Sequence, residues 1–265
     1  KIDYDKFNKK ILNFLTLLYN GTEKSIEFVF TILSLEDIQN LIEDRAITYD
    51  TEISKLIKKF TQFSIPTDKI GIVFNIFKSI FAKGPSNSFL FCIESLTKIV
   101  CYVHDETIEE EDKENIKKLF EQDNDLSNYF IESLKIDDDR IPSSVFIFIS
   151  EFCRAKFDIK KYERLFNEAY EALDKHSDKY PKKIEIRCNA AKVFGNVFYF
   201  NFNNNPFLLE NALKYADRLS KVVEDDAYEV AKIASYGILI ISICMPPNKL
   251  EKMISSESFF FILKR

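Results

Sequence analysis

Apolar residues recur three and four positions apart along almost the whole chain, and proline tends to fall where one such stripe gives way to the next. Tyr4, Phe7, Ile11, Leu15 and Leu18 form one stripe; Ile53, Leu56, Ile57, Phe60 and Phe63 form another. Ile70, Val73, Phe74, Phe77, Ile80 and Phe81 lie between Pro66 and Gly84, and Phe89, Cys92, Leu96, Ile99, Val100 and Val103 follow Pro85. Tyr162, Leu165, Phe166, Ala169 and Leu173 continue the series, as do Leu208, Ala212, Tyr215, Leu219 and Val222. This spacing gathers the apolar side chains on one face of a helix. No segment of comparable length alternates with period two, so the pattern predicts helices and no sheet. Residues 145–149 and 233–241 are apolar nearly all round, which predicts helices sandwiched between neighbours.

The punctuation agrees with the stripes. The chain has only five glycines and seven prolines, and proline fits the first turn of a helix while breaking its interior. Asn205-Pro206 reads as an N-cap with proline at the first helical position. Asn248 with Glu251 reads as a capping box, and Asp158 as the cap of the helix carrying Tyr162. Gly195 and Gly237 fall inside predicted helices, where glycine costs about 1 kcal/mol against alanine. The expected compensation is close approach of another helix.

These two glycines also mark a repeat. Residues 186–197 align without a gap on residues 228–239, an offset of 42 residues, and each copy follows an amphipathic helix. An earlier, more degenerate copy falls at 142–154. The period and the small residues before a packed apolar helix ending in Gly-Asn resemble the third helix of armadillo repeats. The resemblance, clearest over residues 142–244, is to the armadillo/HEAT superfamily. It implies an all-α, right-handed α-solenoid of armadillo/HEAT-like repeats with a groove that binds proteins or peptides. Peptide-binding armadillo families carry a tryptophan and an asparagine four residues apart on that helix. Asn196 matches the asparagine and Lys192 stands at the tryptophan position; in the next copy these places hold Ile238 and Ala234. The chain has no tryptophan at all.

Composition narrows the function classes. With 46% apolar and 30% charged residues the chain is of globular type. A net charge of −5 opposes general nucleic-acid binding, which needs cations to displace phosphate counterions. Cys92, Cys101, Cys153, Cys188 and Cys244 show no paired spacing and read as reduced, buried thiols of a cytoplasmic or nuclear protein. No apolar run is long enough to span a bilayer. The first residue is Lys1 and residues 259–262 are strongly apolar, so the chain is expected to be one domain, 1–265, cut from a longer protein. Exposure of 259–262 would then make it self-associate.

Candidate chemistry is sparse. Glu109, Glu110, Glu111 and Asp112 lie in an acidic run that continues from Asp105 to Glu114. It reads either as a solvated helix start, favoured by the helix dipole, or as a docking patch for a basic partner. Lysines and arginines outnumber acids over residues 154–192, which suits exposed helix faces or an acidic ligand. His104 and His176 fit no metal or nucleophile pattern, and His176 reads as a cation near a helix end. No glycine-rich phosphate loop occurs. The expectation is therefore a non-enzymatic protein-interaction scaffold without cofactor or metal. Glu109, Glu110, Glu111, Asp112, Lys192 and Asn196 are its candidate partner-binding residues. Its rivals are a formin-like GTPase-binding armadillo domain, a helical accessory region of a larger enzyme and, structurally, a globular helical bundle.

Overall fold

The computed structural model describes residues 4–18, 29, 34–43, 49–63, 65–174, 176, 179–180, 183–202, 205–223 and 227–254. Among them every regular element is helical. In chain order these are α1 (Tyr4–Leu18), α2 (Leu35–Glu43), α3 (Asp50–Phe63), α4 (Ile70–Ala82), α5 (Ser88–Cys101), α6 (Glu110–Gln122) and α7 (Leu126–Ser133). Then come α8 (Arg140–Arg154), α9 (Glu163–Ala172), α10 (Ile184–Asn201), α11 (Pro206–Val223), α12 (Tyr228–Cys244) and α13 (Pro247–Ile254). Short 3-10 turns lead into α4 and α9 and follow α5. The apolar run at 259–262 lies outside the described residues.

Residues 1–141 form one compact unit. Its helices alternate between two layers: α1 packs on α3 and α3 on α5, while α2 packs on α4, and α4 on α6 and α7. The stripe on α3 is the reason for its place, because Ile53, Leu56, Ile57 and Phe60 are wholly buried. On α4, Phe74 meets Phe120 edge-on at 5.2 Å and Phe81 meets Phe89 at 4.6 Å. Burying an aromatic or large aliphatic side chain of this kind contributes roughly 1.5–3 kcal/mol. The α6–α7 corner is pinned by Asp123. Its Oδ1 accepts the backbone N–H of Asp125 (2.9 Å) and of Leu126 (2.7 Å), and its Oδ2 pairs with Lys78 of α4.

Residues 142–265 form the second unit. Helices α8, α10 and α12 begin at Arg140, Ile184 and Tyr228, 44 residues apart, and form one layer. Behind them α9 and α11 pack on α10, and α11 also contacts α12 and α13. Phe194 of α10 meets Tyr215 of α11 at 4.6 Å. At the α8–α9 turn, Phe152 stacks on Phe157 at 4.3 Å and against Tyr162 at 4.4 Å.

One cap expectation holds: Asn205 Oδ1 accepts the Leu208 N–H at 3.3 Å, with Pro206 first in α11. Asp158 is a correction: its Oδ1 accepts the Lys160 N–H at 3.0 Å in a local turn, while Ile159 is the N-cap of the 3-10 turn and Tyr162 that of α9. Asn248 is a correction. Helix α13 starts at Pro247, whose fixed φ suits the first position, so Asn248 lies inside the helix, and the Leu250 N–H bonds to the Pro246 carbonyl at 3.0 Å. His176 also differs: α9 ends at Ala172, and the His176 N–H instead closes a turn on Asp174 Oδ1 at 2.9 Å.

Candidate protein-interaction surface

Helix α10 shows only a weak amphipathic pattern because neighbours cover most of its circumference. Toward α12, Gly195 and Gly237 meet: a Cβ on Gly195 would stand 3.7 Å from the Gly237 Cα. The glycines that mark the repeat in the sequence therefore pack on each other. Toward α8 the contact is polar. Ser143 Oγ donates to Glu185 Oε1 at 2.8 Å and accepts from Asn189 Nδ2 at 2.7 Å. Asn196 Nδ2 donates to Ser150 Oγ at 2.7 Å, and Asn201 Nδ2 to the Cys153 carbonyl at 2.8 Å. These bonds give buried polar groups the partners they need and fix the register of α8 on α10.

Part of what remains open on this layer follows a spacing of seven. Ile147 and Arg154 are exposed on α8, Glu185, Lys192 and Tyr199 on α10, and Glu229, Tyr236 and Ile243 on α12. The apolar part of this surface is unusual. Nine large hydrophobic residues are exposed among the described residues, and seven of them lie on α8, α10 and α12. Tyr228 (73% exposed), Tyr236 (58%), Leu239 (54%) and Ile243 (74%) share α12. Val223, Tyr228, Ala231, Lys232, Ser235, Tyr236 and Leu239 line a groove of about 500 Å³. Helix α12, expected to be sandwiched between neighbours, packs on α10 and α11 with Ala234, Gly237 and Ile238 buried, while Tyr236 and Leu239 face solvent.

The residues singled out from the sequence fall in two places. Glu109 is the extended N-cap of α6, and Glu110, Glu111 and Asp112 form its first turn. Glu110 pairs with Lys113 at 2.7 Å, and that hydrogen bond holds its carboxyl below the usual range. Asp112 accepts a hydrogen bond from Thr67 Oγ1 at 2.8 Å, tying the helix start to the turn before α4. Glu109 and Glu111 are exposed. In the other unit, Lys192 is exposed on α10, with Nζ 3.3 Å from Asn189 Oδ1, and Asn196 holds Ser150. Tyr228, Tyr236, Leu239 and Ile243 were missed. Their periodicity was visible, but nothing local says which face of an all-apolar helix lies open.

Among the described residues, no group of three His, Cys, Asp or Glu side chains is placed to hold a metal. All five cysteines are free, and burial pushes the Cys153 and Cys188 thiols up, away from the reactive thiolate. No helix among the described residues is long and apolar enough to cross a membrane.

No family model and no curated protein matches the sequence. Solved structures do match. A designed armadillo repeat protein in complex with a (KR)4 peptide is 14% identical, with a TM-score of 0.62 over 91% of this chain and 95% of that one. A second designed armadillo repeat protein is 13% identical, with a TM-score of 0.58 over 88% and 92%. An engineered protein is also 13% identical, with a TM-score of 0.60 over 89% and 92%. The fold is therefore all-α and armadillo-type, a right-handed solenoid of helical repeats.

Proposed function

We propose that this armadillo-type chain is a protein-interaction scaffold whose partner docks on the layer formed by α8, α10 and α12. The concentration of exposed apolar side chains on that one layer carries the reading, since large apolar patches on folded proteins mark interaction sites. Tyr236, Leu239 and Ile243 are spaced as a strip that an amphipathic partner helix would cover, in the helix-in-groove mode. Covering a large apolar side chain contributes roughly 1.5–3 kcal/mol when its burial is complete. Lys192 and Asn196, on α10 of the same layer, belong to the proposed surface. Glu109, Glu110, Glu111 and Asp112 remain a proposed contact for a basic partner. The designed relative holds a (KR)4 peptide, which supports a peptide-accepting role for folds of this type. No observation favours the GTPase-binding or enzyme-accessory readings.

A single domain over residues 1–265 and a cytoplasmic or nuclear setting belong to the same proposal. The test is affinity capture with wild type and with Tyr236→Glu/Ile243→Glu, both exposed positions whose change leaves the core intact. Loss of a captured protein with unchanged thermal stability supports the reading. Identical capture by both proteins removes the α12 face from it.

A further inference from the structure

Residues 142–265 hold 19 lysines and arginines against 16 aspartates and glutamates, net +3, in a chain of net charge −5. Much of the excess sits in one turn. Arg154, Lys156, Lys160, Lys161 and Arg164, all exposed, fall within eleven residues between the end of α8 and the start of α9. The turn has a packed base, because Phe157, Ile159 and Tyr162 are 1–2% exposed and Phe152 stacks on Phe157 and meets Tyr162 at a tilt.

Folding alone explains only some of these cations. Arg154 ends α8, where the helix dipole favours it, and stands 3.6 Å from Glu151. Lys156 is different: its φ is 59°, the left-handed region that glycine enters freely and a lysine does not. Lys160 and Lys161 lie in the 3-10 turn leading into α9, where the positive end of the dipole opposes cations. Among the described residues, the Nζ groups of Lys156 and Lys160 have no ion-pair or hydrogen-bond partner. Positive charge is thus held where local stability argues against it, on a packed base.

We infer that the α8–α9 turn is a docking surface for an acidic segment of a partner protein, distinct from the apolar strip on α12. Charge complementarity selects this occupant. The turn exposes no apolar side chain that would enter a bilayer, since Ala155, Phe157, Ile159 and Tyr162 are all buried. It offers no exposed aromatic ring for a base to stack on. Asp158 and Glu163 interleave with the cations, which opposes a continuous phosphate backbone, whereas a protein segment can alternate acidic and neutral residues to match.

The test is fluorescence anisotropy of a labelled octapeptide of alternating Asp and Glu titrated with the whole chain. Phosphatidylserine vesicles and a single-stranded oligonucleotide serve as parallel probes. The expected result is saturable peptide binding that weakens about tenfold or more in Lys156→Glu/Lys160→Glu/Lys161→Glu, or when salt is raised to about 0.5 M. Lys156→Gly separates binding from folding: it removes a charge and relieves the backbone, so it should weaken binding while raising the melting temperature. The inference is overturned by no saturable peptide binding, by binding that the triple reversal leaves unchanged, or by tighter binding of vesicles or oligonucleotide through the same residues. None of these outcomes bears on the α12 surface.

Discussion

Gly195 and Gly237 occupy equivalent places in the repeat, yet their surroundings predict different responses to alanine. Glycine inside a helix costs about 1 kcal/mol against alanine, so each substitution starts with a gain of that order. At Gly195 a new Cβ would stand 3.6 Å from Ile240 Cδ1 and 3.7 Å from the Gly237 Cα, both ordinary contacts. Most of the gain should survive, stabilising the fold by about 0.5–1 kcal/mol. At Gly237 the Cβ would stand 3.0 Å from Leu219 Cδ1, so Leu219 must move by a few tenths of an ångström. Off-rotamer adjustment of that kind costs about 0.5–1.5 kcal/mol, which cancels the gain or reverses it. The double variant should fall short of the sum, because both methyl groups enter the same α10–α12 contact. Urea unfolding followed by circular dichroism measures all three. A destabilisation above about 1 kcal/mol in Gly195→Ala, or a larger gain at Gly237 than at Gly195, would refute this account of the helix contact.

Three other outcomes follow from the packing. Asp123→Ala should destabilise by about 2–4 kcal/mol in the same unfolding experiment, because it removes the acceptor of the Asp125 and Leu126 N–H groups and strands Lys78; Asp123→Asn, which keeps Oδ1, should lose less. The hydrogen bond that Lys78 donates to Asp123 raises the Lys78 pKa above its ordinary value. Its stabilisation is therefore complete below the unfolded lysine pKa of about 10.4 and is lost as pH rises through the folded one. Thermal melts over an alkaline series should show that decline, flattened in Asp123→Asn. Asn189 is 5% exposed and bonded to Ser143, so Asn189→Ala should cost about 1–3 kcal/mol by leaving Ser143 Oγ and Lys192 Nζ each with one partner fewer. A loss below about 0.5 kcal/mol on urea titration would contradict that role.

The helices were legible because their stripes are local. Ile53, Leu56, Ile57 and Phe60 are named by spacing alone, and all four are wholly buried. The repeat was legible through Gly195 and Gly237, although the helices recur every 44 residues and the sequence match every 42. Pairings distant in the chain were not. Nothing near Asp112 announces Thr67, 45 residues away, and nothing near Asn196 announces Ser150, 46 away. The left-handed backbone at Lys156 escaped notice because that position usually declares itself with glycine. The open strip on α12 escaped because an all-apolar helix carries no polar face to orient it.

The most direct measurement places a photo-crosslinking side chain at Leu239 in the α12 strip and, as a control, at the exposed Lys118 on α6. A discrete adduct formed from position 239, absent from position 118 and abolished by Tyr236→Glu is the expected result. Equal adducts from both positions, or an adduct at 239 that Tyr236→Glu leaves unchanged, would contradict docking on this face.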